Sequence, residues 1–193
     1  KEIQQFQGML VDVSKKYFEE DQEALHEQPL IFSSFAVQTM SDTPVYLPVK
    51  DGPSLKKCLD GKLGEYNDAN VIMDLVLFEQ AIEHVCRITR ILDNPRGNAL
   101  LVGVGGSGKQ SLSKLASFIC GCDVVQLSVT SDFGVADLKE SLKDLYRRAG
   151  VKPALPVAFL LTDSQILDER FLVYVNDLLS SGYIPDLFAK DEY

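Results

Sequence analysis

The sequence predicts an α/β fold in which helices cover a parallel sheet. From residue 98 onwards, short apolar segments alternate with longer amphipathic segments in the order strand, helix, strand, helix, strand. The apolar segments are continuous rather than alternating with polar residues, which is typical of strands buried on both faces. A glycine-rich loop joins the first of these strands to the first helix, as in other α/β folds that bind ligands at such turns.

The elements of this core follow from the apolar pattern. Strands are predicted at 99–102, 123–129 and 157–161, and helices at 109–120 and 135–149. A helix at 71–92 precedes the core, because apolar residues recur there at helical spacing and the turn 94–97, with its proline and glycine, ends it.

The N-terminal part has a different character. Apolar residues at helical spacing predict a helix over 1–20, and a polar, acidic joint follows from Glu19 to Gln28. Residues 29–53 contain several prolines and are expected to be extended, and Ser54 is a candidate N-cap for a short helix. The predicted organisation is therefore 1–28 as helix and joint, 29–97 as the lead into the core, and 98–193 as the core.

The composition limits the possible partners. The chain has 19 Lys and Arg against 28 Asp and Glu, a net charge of −9, which argues against nucleic acid or an anionic membrane as a main partner. No apolar stretch is long enough to span a bilayer. The cysteines have no Cys-x-x-Cys spacing and are predicted to be free thiols: Cys58, Cys86, Cys120 and Cys122.

The loop after the first core strand has the spacing of a phosphate-binding loop, G-x4-G-K. Its glycines allow the backbone to curl so that several N–H groups face one anion, and the lysine supplies a full positive charge for the β- and γ-phosphates. The predicted nucleotide-binding residues are Gly103, Val104, Gly105, Gly106, Ser107, Gly108, Lys109, Gln110 and Ser111.

Two features of this loop leave alternatives open. Gln110 stands where a Ser or Thr hydroxyl would bind Mg2+, and Ser111 is turned by about 100° around the helix, so Mg2+ placement is open. The glycines also read as G-x-G-x-x-G, a dinucleotide fingerprint. That alternative requires an acidic residue at the end of the second strand, where Asp132 is the only late candidate.

The third core strand ends in Thr162, Asp163 and Ser164. In P-loop proteins such a strand carries an aspartate toward Mg2+, and Asp163 is predicted to contact the metal through water; the alternative is a plain helix N-cap. Ser164 occupies the place of the glutamate that polarises water in hydrolysing relatives of this motif, which predicts weak or absent cleavage.

Two segments, NALLVGVGGSGKQSLS from residue 98 and FLLTDSQILDERFLVYVNDLLSSGYIPDLFAKDE from residue 159, resemble dynein heavy chains. Among these, the chain is similar to the fourth AAA+ module of axonemal dyneins from Pro29 onward. Residues 1–20 resemble the last helix of the preceding module's lid. The resemblance implies a P-loop NTPase (AAA+) three-layer sandwich, incomplete here, in a ring of six modules that moves along microtubules.

The resemblance also implies a role. It implies a regulatory module that binds ATP or ADP with Mg2+, Ser111 near the α-phosphate and residues 71–76 against adenine. Implied partners are neighbouring AAA+ modules, dynein intermediate and light chains and microtubules, in the cytoplasm and the axonemal cytoskeleton of a cilium or flagellum. A scaffold without nucleotide and an NAD-binding enzyme are the alternatives.

The predicted fold class leads to one further expectation, which concerns the pairing of the strand at 99–102. AAA+ proteins place the P-loop strand in mid-sheet, and the three predicted strands include neither of its neighbours. The strand at 99–102 is then left unpaired, so residues 1–193 are expected to be part of a longer chain.

Overall fold

The computed structural model describes residues 1–20, 25, 31–36, 45–49 and 51–190. The helices are α1 (Glu2–Tyr17), α2 (Gly52–Ala69), α3 (Glu79–Leu92), α4 (Lys109–Ile119), α5 (Val135–Gly150) and α6 (Phe171–Ser181). The strands are β1 (Phe32–Ser33), β2 (Leu47–Pro48), β3 (Asp123–Val125) and β4 (Val157–Phe159). Most of the predicted joint at 19–28 lies outside the described residues. Across the described ranges, no helix combines the length and apolarity needed to cross a bilayer.

Strands β3 and β4 pair in parallel, with Asp123 opposite Val157 and Val125 opposite Phe159. Helix α4 packs against β3 and α5 against β4. The predicted parallel orientation of the core strands is confirmed for these two, but both are shorter than predicted. The ladder ends because the Gln165 side chain donates to the Leu127 carbonyl at 2.7 Å, a group that a longer ladder would use.

Residues 99–102, predicted as a strand, do not form one in the structure, while the expectation that this segment is left without a paired neighbour is confirmed among the described residues. The segment has no assigned secondary structure, and the Leu100 side chain is 90% exposed. Strands need a neighbour for their N–H and C=O groups, and in the described part of the chain β3 and β4 pair only with each other. Leu101 nevertheless packs against the apolar core formed by α2, α3 and α4.

The helix predicted at 71–92 begins only at Glu79, so the prediction for residues 71–78 is wrong. The carboxamide of Asn67 holds this segment away from helical geometry. Its Oδ1 accepts from the Met73 N–H at 2.8 Å and its Nδ2 donates to the Met73 carbonyl at 3.3 Å. A side-chain amide that satisfies a backbone in this way competes with helix formation.

Ser54 is not the N-cap of the helix that contains it. Helix α2 begins at Gly52, and Asp51 is the flanking residue. Pro53 explains the earlier start, since a proline in the first turn loses no helical hydrogen bond and has a φ suited to the helix.

Two apolar clusters form the interior. The first joins α2, α3 and α4 through buried residues such as Leu55, Leu59, Val85, Ile88 and Leu115. The second lies beneath β3, α5 and α6 and contains Leu127, Leu138, Leu142, Phe171, Ile184 and Leu187. The apolar side chains of α1 are mostly exposed to solvent.

The β1–β2 pair is tied to the end of α3 through Asp93. The Asp93 Oδ2 atom accepts from Ser34 Oγ at 3.0 Å and from the Tyr46 hydroxyl at 2.5 Å. Burial raises the pKa of Tyr46, so the phenol stays protonated as a donor. The four cysteines are free thiols, as predicted, and burial raises the pKa of Cys86 to about 11.

Candidate phosphate-binding site

The loop 103–111 runs into the first turn of α4. Gly106 and Gly108 have φ values of 74° and 76°, a left-handed conformation that residues with a side chain adopt at a cost. Gly108 is the residue that directly precedes α4. These two glycines turn the chain from the extended segment before the loop into the helix, which is the local geometry that the G-x4-G-K spacing predicts.

The backbone N–H groups of the loop are available to a ligand. The first backbone hydrogen bond of α4 runs from the Leu112 N–H to the Gly108 carbonyl at 2.8 Å. Within the described residues, none of the N–H groups of 104–111 donates a hydrogen bond. Unpaired N–H groups at a helix N-terminus, together with the helix dipole, form a site suited to an anion.

The Lys109 ammonium group lies over the same loop. Its Nζ donates to the Gly103 carbonyl at 2.8 Å, the Val104 carbonyl at 2.7 Å and Ser107 Oγ at 3.2 Å. No carboxylate of a described residue forms an ion pair with it. Its positive charge is therefore matched only by neutral oxygens, which favours the approach of an anionic ligand.

The two residues after Lys109 differ in exposure. Gln110 is exposed and Ser111 is half-buried, and neither side chain forms a hydrogen bond with another described residue. Both are therefore free to face a ligand, but only Ser111 offers a hydroxyl group.

Asp163 is the predicted metal-binding residue of the site, and residues 160–162 separate it from the end of β4. It is exposed, and it is the first residue of a short 3-10 helix, Asp163–Gln165. The flanking N-cap position belongs to Thr162, so the alternative of Asp163 as an N-cap is wrong. No hydrogen bond or ion pair among described residues joins Asp163 to the loop 103–111, so the Mg2+ role of Asp163 stays a prediction.

Gln165 is a residue whose role sequence reasoning missed. Its Oε1 accepts from the Thr162 N–H at 2.9 Å, and its Nε2 donates to the Leu127 carbonyl at 2.7 Å. It thus links the segment after β4 to the segment after β3 and fixes the turn that carries Asp163. The T-x-x-Q spacing of a capping box was the available signal.

A cleft of about 420 Å3 surrounds this turn. Its lining residues are Leu127, Val129, Thr130, Ser131, Ser164, Gln165 and Leu167. None of them belongs to the loop 103–111. We locate the candidate site at the loop rather than at this cleft, because only the loop combines unpaired N–H groups with a cation.

The extended segment 71–78 passes the loop. A side chain at Gly108 would come within 3.8 Å of Leu75 Cδ1, so the two segments are in contact distance. The side chains of Val71, Ile72 and Val76 are exposed. The segment of the predicted adenine contact, Val71 through Val76, thus reaches the loop through Leu75 and is not helical. The contact with adenine itself stays a prediction.

Replacing Gln165 with leucine is expected to lower the free energy of unfolding by about 1–3 kcal/mol, because the Leu127 carbonyl and the Thr162 N–H lose their partner. Urea denaturation would measure this, with Gln80→Leu as the control, since Gln80 is exposed on the first turn of α3. Equal stability of the two variants would contradict the role assigned to Gln165.

Comparison with known proteins decides the family. The P-loop containing dynein motor region D4 matches residues 73–193, well over half of the chain. This chain belongs to that family. Its members are named for a P-loop, which favours the phosphate loop over the dinucleotide fingerprint for residues 103–111.

Several curated relatives are axonemal dynein chains. The chain is 54% identical over 195 residues to the dynein beta chain of the flagellar outer arm of Chlamydomonas reinhardtii, covering 99% of this chain. It is 53% identical to dynein axonemal heavy chain 11 of Sus scrofa, over 100% of this chain. Dynein axonemal heavy chain 17 of Homo sapiens is 53% identical over 93% of it. The chain spans only 4% of the length of each of these relatives. They place it in the axonemal cytoskeleton.

Proposed function

We propose that this chain is a nucleotide-binding regulatory module of a ciliary dynein heavy chain, which holds ATP or ADP in the loop 103–111. The observation that carries the proposal is the loop itself. Its N–H groups from 104 to 111 have no partner among the described residues, and Lys109 lies over them without a carboxylate.

Each part of the loop has a role in this proposal. The N–H groups bind the β-phosphate oxygens at the N-terminus of α4, and Lys109 Nζ exchanges its carbonyl partners for the β- and γ-phosphates. Ser111 lies near the α-phosphate. Residues 71–76 pack on adenine in this proposal, because Leu75 of this segment lies near Gly108. The other apolar side chains of the segment, at Val71, Ile72 and Val76, are exposed.

Mg2+ fits these residues only in part. Mg2+ supplies charge neutralisation to bound phosphates and usually keeps several waters, with one or two carboxylates. Asp163 is exposed, and its carboxylate has no hydrogen-bond partner among the described residues, so it could hold the metal through water. The described residues contain no group of three or more His, Cys, Asp or Glu that could hold a metal on their own.

Hydrolysis by this module is proposed to be weak or absent. Ser164 replaces the acid that polarises water. The carboxylate of the nearby Asp168 is already hydrogen-bonded, since Arg170 Nε donates to both of its oxygens at 3.0 Å. These hydrogen bonds lower the pKa of Asp168 to about 2, which makes it a poor base, and they engage Arg170 as well.

Within the parent heavy chain, we place this region as the fourth AAA+ module of a six-module ring in the axoneme of a cilium or flagellum. The neighbouring AAA+ modules are its direct partners, and dynein intermediate and light chains and microtubules are reached through the parent chain. The family description and the dynein names of its relatives support the assignment to a dynein heavy chain, and the position in the ring is part of the proposal.

The purified chain is expected to show ATPase activity near background while still binding ATP. Ser164→Glu alone is not expected to raise this activity, because the substitution does not add an arginine finger. Phosphate release in the presence of Mg2+ would measure turnover, and retained labelled ATP would show that the chain is folded. Robust hydrolysis that disappears in Asp163→Ala would contradict the proposal.

A further inference from the structure

The residue after the loop lysine is an amide where phosphate loops of this kind have a hydroxyl. A Ser or Thr there binds Mg2+ directly through its oxygen. Gln110 lies on the first turn of α4, is exposed, and forms no hydrogen bond with a described residue. Its longer side chain is not held in a direction that would present an oxygen to a metal.

No neighbouring side chain restores the missing oxygen. Ser111 is rotated by about 100° around the helix from Gln110, so its hydroxyl faces a different direction. Asp163 has no contact with the loop among the described residues. Mg2+ demands near-octahedral oxygen ligands and gives up its waters reluctantly, so an unheld amide is a poor replacement for a fixed hydroxyl.

The loop has groups that can bind negatively charged phosphates without a metal ion. Lys109 contributes one full positive charge, unpaired with any carboxylate of the described residues. The N–H groups of 104–111 and the α4 dipole contribute partial positive charges. These groups act on the phosphates whether or not a metal is present.

We propose that this loop binds ADP and ATP with an affinity that is nearly independent of Mg2+, and that Gln110 is the residue responsible. The inference rests on the proposed nucleotide binding. In this proposal the module binds nucleotide without the Mg2+ that a hydrolysing site needs.

The test uses the complete heavy chain that contains this region, with radiolabelled ADP and ATP in excess Mg2+ or in EDTA. Binding at this loop is the part whose affinity Lys109→Ala lowers. The dissociation constants in Mg2+ and in EDTA are expected to agree within about threefold, less than the tenfold that corresponds to 1.4 kcal/mol. Gln110→Ser is expected to bind at least about tenfold more tightly with Mg2+ than without it. Gln110→Ala, which adds no hydroxyl, is expected to behave like the parent.

The outcomes separate the two proposals. Parent binding that is tenfold or more tighter in Mg2+ would overturn the metal independence and leave nucleotide binding standing. Metal-independent binding in both the parent and Gln110→Ser would overturn the assignment to Gln110. Absence of any Lys109-dependent binding under either condition would overturn the proposed function, and this inference with it.

Discussion

Replacing Lys109 with alanine is expected to weaken ATP and ADP binding by about 10- to 100-fold, because a hydrogen bond to a charged group contributes about 1.5–3 kcal/mol. Lys109 is the cation that lies over the loop, with Nζ within 2.8 Å of two of its carbonyls. Fluorescence titration with a labelled nucleotide would measure the loss.

Two controls make the result specific to the loop. Lys114→Ala removes a cation from the same helix, outside the loop, and is expected to leave the affinity unchanged. Lys109→Arg keeps the charge but changes its geometry, so it should recover only part of the affinity. Binding by Lys109→Ala as tight as that of the parent would rule out the phosphate-binding role of this loop.

Replacing Phe171 with alanine is expected to lower the free energy of unfolding by about 3–5 kcal/mol, the usual cost of emptying a buried aromatic site. Phe171 is 1% exposed at the start of α6 and lies edge-to-face with Phe133, with ring centroids 6.0 Å apart. It joins α6 to the cluster beneath β3 and α5. Chemical denaturation followed by circular dichroism would measure the loss.

The adjacent residue provides a matched control. Leu172 is 49% exposed, so Leu172→Ala is expected to change the stability by no more than about 0.5 kcal/mol. If both variants were equally stable, Phe171 would not be part of a cooperative core.

The sequence is most informative where one local rule decides the structure. The G-x4-G-K spacing predicts the loop and the start of α4 at Lys109, and the structure has the helix there. Helices α1 and α5 are predicted within a few residues of their bounds, because their apolar residues recur regularly. These features depend on neighbouring residues in the chain.

Features that depend on distant partners are the ones that the pattern misses. Residues 71–78 are apolar at helical spacing, but the Asn67 side chain holds Met73 in an extended segment. The apolar run at 99–102 has strand composition, but it forms no strand because it has no neighbouring strand among the described residues, and only that lack of a neighbour was expected from the fold class. The T-x-x-Q spacing accounts for the bond between Gln165 and Thr162, but no local motif specifies the bond from Gln165 to the Leu127 carbonyl.

The candidate site, too, can be predicted from the sequence only in the part that local spacing decides. The loop residues follow from spacing, and Lys109 contacts the loop that the motif assigns to it. The relation between Asp163 and the loop cannot be read from the sequence, since it depends on how the two segments are held in space. The sequence likewise does not predict that the Asp168 carboxylate accepts hydrogen bonds from Arg170, which only the structure shows.

Titration of the chain with labelled ATP, ADP and NAD at fixed Mg2+ tests nucleotide binding most directly, with a cooperative thermal melt as evidence that the chain is folded. We expect saturable binding of ATP and ADP, competition between the two, and no binding of NAD. A folded chain that bound neither ATP nor ADP would contradict it and would leave a scaffold role. Binding of NAD alone would show that the glycine loop serves a dinucleotide.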